Sequence, residues 1–146
     1  MISLNAFGKN DIRGIYKEDI TEELYYYVGR AFVKYLEQQT GKEIREIWTT
    51  VCRDARTHSP SLADALIKGV RSTGANVVDL GLAPTPIGYY SEAVGVHPAL
   101  TEGEAVTGAL IVTASHNPSQ YNGLKMTYNK QTLNEEQIKE VKALTE

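Results

Sequence analysis

Within six residues, Thr113-Ala114-Ser115-His116-Asn117-Pro118, the chain gathers a hydroxyl, an imidazole and an amide. Such a set suits acyl transfer or phosphoryl transfer. For acyl transfer, His116 would have to deprotonate Ser115. Adjacent residues of an extended chain point to opposite sides, which places the imidazole badly. The nucleophile-elbow pattern G-x-S-x-G is also missing. A phosphorylated Ser115 fits the residue types better. A phosphoserine carries about −1.5 to −2 charges at neutral pH and needs cations, N–H donors or a metal around it. The loops supply Arg13, Arg53, Arg56, His58, His116 and Lys125. Lys125 offers a point charge, or a general acid or base if its pKa is lowered. A plainer reading stays open, in which Ser115 and Asn117 only satisfy the backbone of a turn.

The elements around this cluster must hold it at an accessible edge. Ala109-Leu110-Ile111-Val112 is a continuous apolar run, suited to a strand covered on both faces. Pro118 biases Asn117 away from helical angles, so the cluster is read as a loop following a strand at 108–114. In open α/β sheets, ligands bind beyond the carboxyl ends of the strands. Upstream, 46–52 and 76–82 read as strands, the second of them buried, and 21–39 and 87–94 as helices. Thr21 is the N-cap and Gly41 the stop of the first helix. A helix from Ser59, its N-cap, to about Thr73 has Pro60 at its first position and Gly74 as its stop. Tyr25, Tyr26 and Tyr27 read as core and rim. Asn134 and Gln137 form a reciprocal cap for the last helix.

Three shorter assignments complete the map. Residues 2–8 read as a first strand, with Asn10–Gly14 as a turn from which Arg13 projects. Tyr121-Asn122-Gly123 reads as a turn, and 123–128 as an edge strand placing Lys125 behind the loop. His97, before a proline, reads as structural. Arg53, Arg56 and His58 beside a helix N-terminus suit an anion, and equally suit a solvated connection with Asp54 paired to one arginine. The strand–helix alternation predicts one α/β domain over residues 1–146, a mixed, mainly parallel sheet between helices.

Composition narrows the function classes. A net charge of −3 gives no basic field for nucleic acid. The lone Cys52 leaves no internal disulfide and no zinc spacing, which suits a reducing cytoplasm. No apolar run is long enough for a membrane span, and the N-terminus lacks a signal-peptide core.

Five motifs, in order along the chain, then carry a resemblance. They are NDIRG at 10–14, RDART at 53–57, PTP at 84–86, TASHNP at 113–118 and YNGLK at 121–125. Together they resemble the N-terminal domain of the α-D-phosphohexomutases, most closely the bacterial phosphomannomutase/phosphoglucomutase group. TASHNP followed by YNGLK is the specific part of the likeness. The resemblance implies an enzyme that moves a phosphoryl group between C1 and C6 of a mannose or glucose phosphate, through a phosphoserine and a bisphosphorylated intermediate. It implies Ser115 as the phosphorylated residue and, through its phosphate, a ligand of Mg²⁺. Arg13, His116 and Lys125 are implied around it, with His116 and Lys125 as acid/base candidates. Arg13, Arg53, Asn117 and Lys125 are the expected phosphate or substrate contacts. The family's aspartate-rich metal loop and its later sugar and phosphate loops have no counterpart here. The chain is thus expected to be domain I alone, with the later domains outside it, little activity by itself, and an apolar surface where the next domain docks or a second copy pairs. Asn10 and Cys52 stand where the family usually has tyrosine and glycine. Two rivals stay open: a phosphosugar- or anion-binding module without chemistry, and another phosphoserine-dependent phosphotransferase.

Overall fold

The computed structural model describes residues 2–146. Its sheet is built outward from β4 (Val106–Val112), which is buried at every position, as its apolar sequence demands. β2 (Trp48–Arg53) runs parallel to β4, and β3 (Asn76–Leu82) runs parallel to β2. On the other side β5 (Tyr121–Tyr128) pairs antiparallel with β4, and β1 (Ile12–Ile15) antiparallel with β5. β6 (Gln131–Thr132) adds a short antiparallel rung to β5. The order is β1-β5-β4-β2-β3, a mixed sheet between helices. Its antiparallel half has a simple cause. The loop 113–120 is too short for a crossover helix, so β5 must turn back along β4.

Helices α1 (Glu22–Thr40), α2 (Ser59–Ser72) and α4 (Glu135–Thr145) cover one face. Leu24, Val28, Phe32, Tyr35 and Leu36 of α1 meet Leu62, Leu66 and Val70 of α2 over Val51, Leu110 and Val112. Each such buried side chain contributes roughly 1.5–3 kcal/mol. The caps follow the sequence: the Thr21 hydroxyl accepts the Leu24 N–H, Gly41 closes α1 with φ 71, and Asn134 and Gln137 form a capping box. Two glycines let α1 and α2 touch backbone to backbone. A Cβ at Gly69 would lie 2.0 Å from the Tyr26 carbonyl oxygen, and one at Gly29 2.5 Å from that of Leu66.

α3 (Thr85–Val94) covers the other face alone, over Cys52 and Ile111. Within it Glu92 is buried and accepts the Lys130 N–H through both oxygens. Burial pushes this carboxyl up, more than the hydrogen bonds from Lys130 and Thr127 pull it down.

Several expectations need correction. Residues 2–8 are not a strand; only Phe7 makes an isolated bridge, to Ile12. Arg13 and Gly14 lie in β1 rather than in a turn, held by pairing with Gly123 and Asn122. Tyr121–Gly123 likewise belongs to β5, which is interior and not an edge. β3 is an edge strand, as β1 is at the other end, and its residues are mostly half-exposed or exposed rather than buried. Ser59 begins α2 without capping it, because its hydroxyl donates to Asp54. Tyr25 is buried and Tyr27 exposed, the core-and-rim arrangement expected. His97 Nδ1 accepts the Ala99 N–H at 3.0 Å, a local contact two residues on.

Candidate active site

The backbone beyond β4 makes one tight turn. The Asn117 N–H donates to the Ala114 carbonyl at 3.1 Å, so Ser115 and His116 are its two corner residues. Ser115 has φ 55, a left-handed value, while His116 does not. That pattern belongs to a type II′ turn, whose first corner is ordinarily glycine. A serine held there costs about 1–3 kcal/mol, and such strain gathers at functional sites. Ser115 and His116 are both exposed. The turn also removes the premise of extended geometry used above against a Ser-His pair. No hydrogen bond joins the two side chains among the described residues, so no acyl-transfer pair is formed.

Arg56 holds this turn. Its guanidinium donates to the carbonyls of Ser115 (3.2 Å), Asn117 (2.6 Å), Pro118 (2.6 Å) and Tyr121 (3.2 Å), and its Nε to Asp54 (3.2 Å). All five donors of the guanidinium are engaged. Asp54 is anchored in turn: its N–H donates to the Val112 carbonyl, and its carboxylate accepts from the Arg56 N–H and the Ser59 hydroxyl. Burial pushes the Asp54 carboxyl up. The hydrogen bonds from Ser59, Arg56, Thr113 and Ala114 outweigh that, and hold it below the usual carboxylate range. A lowered pKa means the anchor contributes fully at neutral pH and is lost as pH falls through its folded value.

The far side of the loop rests on His58. Its ring stacks on Tyr16 at 4.4 Å. The geometry fits Nε2 donating to the Ser119 carbonyl and Nδ1 accepting from Asn122, whose amide also donates to the Ser59 hydroxyl. Asp54, Arg56, His58, Ser59 and Asn122 therefore form one polar frame under the loop. For the 53–58 segment, the reading as a connection with Asp54 paired to an arginine is the one the geometry follows.

The cations sit one strand over. Leu124 and Met126 of β5 face the core under α1, so Gly123 and Lys125 share the opposite face, and Arg13 lies directly across from Gly123. There Arg13 Nη2 is 2.8 Å and Lys125 Nζ 3.3 Å from the same oxygen, Asp11 Oδ2. The loop's base reaches this point, because the Thr113 N–H donates to the Gly123 carbonyl at 3.1 Å. Gly123 is needed where three strands crowd together. A Cβ there would come 2.5 Å from the Ile12 and 2.9 Å from the Thr113 carbonyl oxygens.

Other expected site residues fall differently. Asn117 caps its own turn, its amide donating to the Ala114 carbonyl. Arg53 ends β2 and donates to the Asp54 carbonyl. Through Val112 and Leu124 it stands three strand spacings from Ile12, roughly 14 Å at the backbone. The structure thus brings Arg13 and Lys125 together and leaves Arg53 apart. Among the described residues no three His, Cys, Asp or Glu side chains gather as a metal site. Asp11 and Asp54, beside the loop, are both taken up by cations. The residues present do not fit a Mg²⁺ site of their own. Sequence reasoning missed the Arg56 clamp and Asp11. The partners of Arg56 are main-chain carbonyls, which residue types do not reveal.

Residues 4–146 match the family described as phosphoglucomutase/phosphomannomutase, alpha/beta/alpha domain I. A probable phosphoglucosamine mutase of Thermococcus gammatolerans is 42% identical over 120 residues, covering 82% of this chain and 23% of that protein. A phosphomannomutase/phosphoglucomutase of Pseudomonas putida is 37% identical over 134 residues, covering 92% and 26%. The crystal structure of a phosphoglucomutase/phosphomannomutase family protein from Burkholderia thailandensis superposes with a TM-score of 0.86 at 36% identity, over 99% of this chain and 30% of that one. The chain therefore spans about a quarter of the length of the curated relatives it matches. A match of this extent, over a chain with an exposed serine on a left-handed turn beyond β4 and a loop base bonded to the strand that carries Lys125, places the chain in the phosphoglucomutase/phosphomannomutase family, over its domain I.

Proposed function

We propose that this chain is the phosphoryl-carrying domain of a longer phosphosugar mutase, with Ser115 as the carrier and a hexose phosphate as substrate. The observation that supports this most is the pairing of Arg13 and Lys125 on one oxygen beside the Ser115 turn. A phosphorylated Ser115 is a dianion at an exposed corner, and two cations nearby offset that charge as it moves. In the transfer, the bond from phosphorus to Ser115 Oγ breaks and one to a sugar hydroxyl oxygen forms. The sugar hydroxyl's proton leaves to a base, and Ser115 Oγ regains one. His116 and Lys125 are the candidates for these proton movements. Mg²⁺, when bound, would neutralise phosphoryl charge. From this chain only the phosphoryl oxygens on Ser115 are offered to it, and its other ligands are assigned to the following domain. The setting proposed is cytoplasmic; no helix among the described residues is long and apolar enough to cross a membrane.

Intact-mass measurement after incubation with a hexose 1,6-bisphosphate tests this. A species about one phosphate heavier is expected, with fragmentation locating the group on Ser115, and Ser115→Ala should abolish it. No added mass under any treatment would leave an anion-binding module instead.

Leu82, Ile87, Tyr89, Tyr90, Val94 and Val96 stand exposed on and around α3. We assign this face to docking of the remaining domains, since the relatives are about four times longer. Tyr90→Arg should lower the melting temperature of the longer protein and leave that of the 146-residue chain unchanged. An equal effect on both would remove the assignment. Concentration-dependent dimers of the short chain, broken by Tyr90→Arg, would give the face to a second copy.

A further inference from the structure

The transfer chemistry above leaves Asp11 without a role, yet its carboxylate is a negative charge set among the cations a phosphate needs. One oxygen, Oδ2, takes both contacts, with Arg13 at 2.8 Å and Lys125 at 3.3 Å, and the side chain is 17% exposed. Two cations and one carboxylate leave a single net positive charge. This small triad joins residues 114 positions apart in sequence. We propose that Asp11 is the resident counter-anion of the Arg13–Lys125 pair, holding both cations in place until a phosphate dianion displaces its carboxylate. The proposal rests on the reading of Ser115 and its neighbours as a phosphoryl-transfer site.

The physics is an exchange of anions. Two positive groups held within a few ångströms of each other repel, and more strongly where water is partly excluded. A carboxylate between them removes that repulsion and fixes where both point. A phosphate carries about twice the charge of a carboxylate and more acceptor oxygens, so it wins the exchange once it arrives. Asp11 is suited to yield. It precedes β1 rather than lying within it, and its carbonyl accepts the Gly8 N–H at 2.9 Å. The backbone is therefore anchored independently of the carboxylate, and the side chain can swing away alone. Asp11 is on this account a positioning residue: it makes no contact with the reacting phosphorus and acts through Arg13 and Lys125.

The test is a titration of the 146-residue chain with inorganic phosphate, read from the amide resonances of Arg13, Ser115 and Gly123 at low and high salt. Asp11→Asn keeps the shape and one acceptor oxygen but removes the charge. It is expected to bind phosphate about fivefold more tightly or better, within the range of ordinary coupling between sites. Its affinity should also fall more steeply with salt than the wild type's, and Asp11→Glu should return both to wild-type behaviour. Equal or weaker binding by a folded Asp11→Asn protein overturns the proposal. Should that variant not fold, a wild-type crystal soaked in phosphate decides. The Asp11–Lys125 contact opens if the proposal is right, and phosphate bound with the contact intact overturns it. Lys125→Gln separates the two levels. If it weakens phosphate binding while Asp11→Asn changes nothing, only the exchange falls. If Lys125→Gln also leaves binding unaltered, the reading of this place as a phosphate site falls with it.

Discussion

Replacing Arg56 by methionine is expected to lower the unfolding free energy by about 3 kcal/mol and to free the loop that carries Ser115. The side chain keeps its length and its packing, so the loss isolates the guanidinium. Four carbonyls, those of Ser115, Asn117, Pro118 and Tyr121, would lose a charged donor at once, and Asp54 would lose its ion-pair partner. Hydrogen bonds to charged groups contribute about 1.5–3 kcal/mol each, but these act as a unit and will not add. The carbonyls nearest solvent recover water. Asp54 cannot do so fully, because its carboxylate is only 25% exposed. Arg56→Lys should fall between the two, since one ammonium cannot reach four carbonyls in a fork. Amide exchange is the direct readout: protection of the Asn117 and Tyr121 N–H groups should collapse before global unfolding. The proposed phosphorylation of Ser115 should fall in parallel, because a left-handed serine loses its corner once the turn is released. Unchanged exchange in that segment, with unchanged melting, would rule out Arg56 as the clamp.

The larger effect on the fold is expected at Gly69. Valine there should cost about 3 kcal/mol or more, a fall in melting temperature of roughly 10 °C, and could unfold the domain outright. The reason is that the obstacle is backbone. A Cβ at this position would lie 2.0 Å from the Tyr26 carbonyl oxygen and 2.8 Å from its carbonyl carbon, and neither atom can rotate away. α1 and α2 would have to part, and with them the layer of Val28, Phe32, Leu66 and Val70 that covers β2 and β4. Domain stabilities of about 5–15 kcal/mol leave little reserve for that separation. Gly41→Val is a useful contrast, since nothing lies within 4 Å of its Cβ position and its penalty is purely one of left-handed backbone. Thermal melting of the two variants side by side separates steric from conformational cost. A Gly69→Val protein melting as the wild type does would mean that the two helices slide with ease.

What sequence could reveal of this domain follows from the range of the forces involved. α1, with Thr21 at one end and Gly41 at the other, is specified by residues within a few positions of each other. The same holds for the Asn134–Gln137 box and the apolar run of β4. Arg13 and Gly14 read as a turn because a glycine after an arginine looks like one locally. Their strand exists only because Gly123 and Asn122 arrive opposite them. Asn122 misled for a similar reason: asparagine before glycine signals a turn, yet here the asparagine is buried beneath the loop and bonded to His58 and Ser59. β3 was expected to be buried from its own valines, but exposure is decided by the sheet order, which leaves no strand beyond it. At the site, Ser115, Arg13 and Lys125 were legible through motif and residue type. The convergence of Arg13 and Lys125 on Asp11 and the grip of Arg56 on four carbonyls were not, since both depend on tertiary placement.

The antiparallel return of β5 sets a schedule on the ribosome. β1 has β5 as its one sheet neighbour, and β5 is almost the last strand to be made. As the polypeptide emerges, residues 12–15 have only local backbone partners and no strand beside them while α1, β2, α2, β3, α3 and β4 are being synthesised. Asp11 and Arg13 can meet early, being two residues apart, but Lys125 reaches them only after more than four-fifths of these 146 residues have been translated. The Asp11–Arg13–Lys125 corner of the domain is therefore assembled late, with only β6 and α4 still to follow.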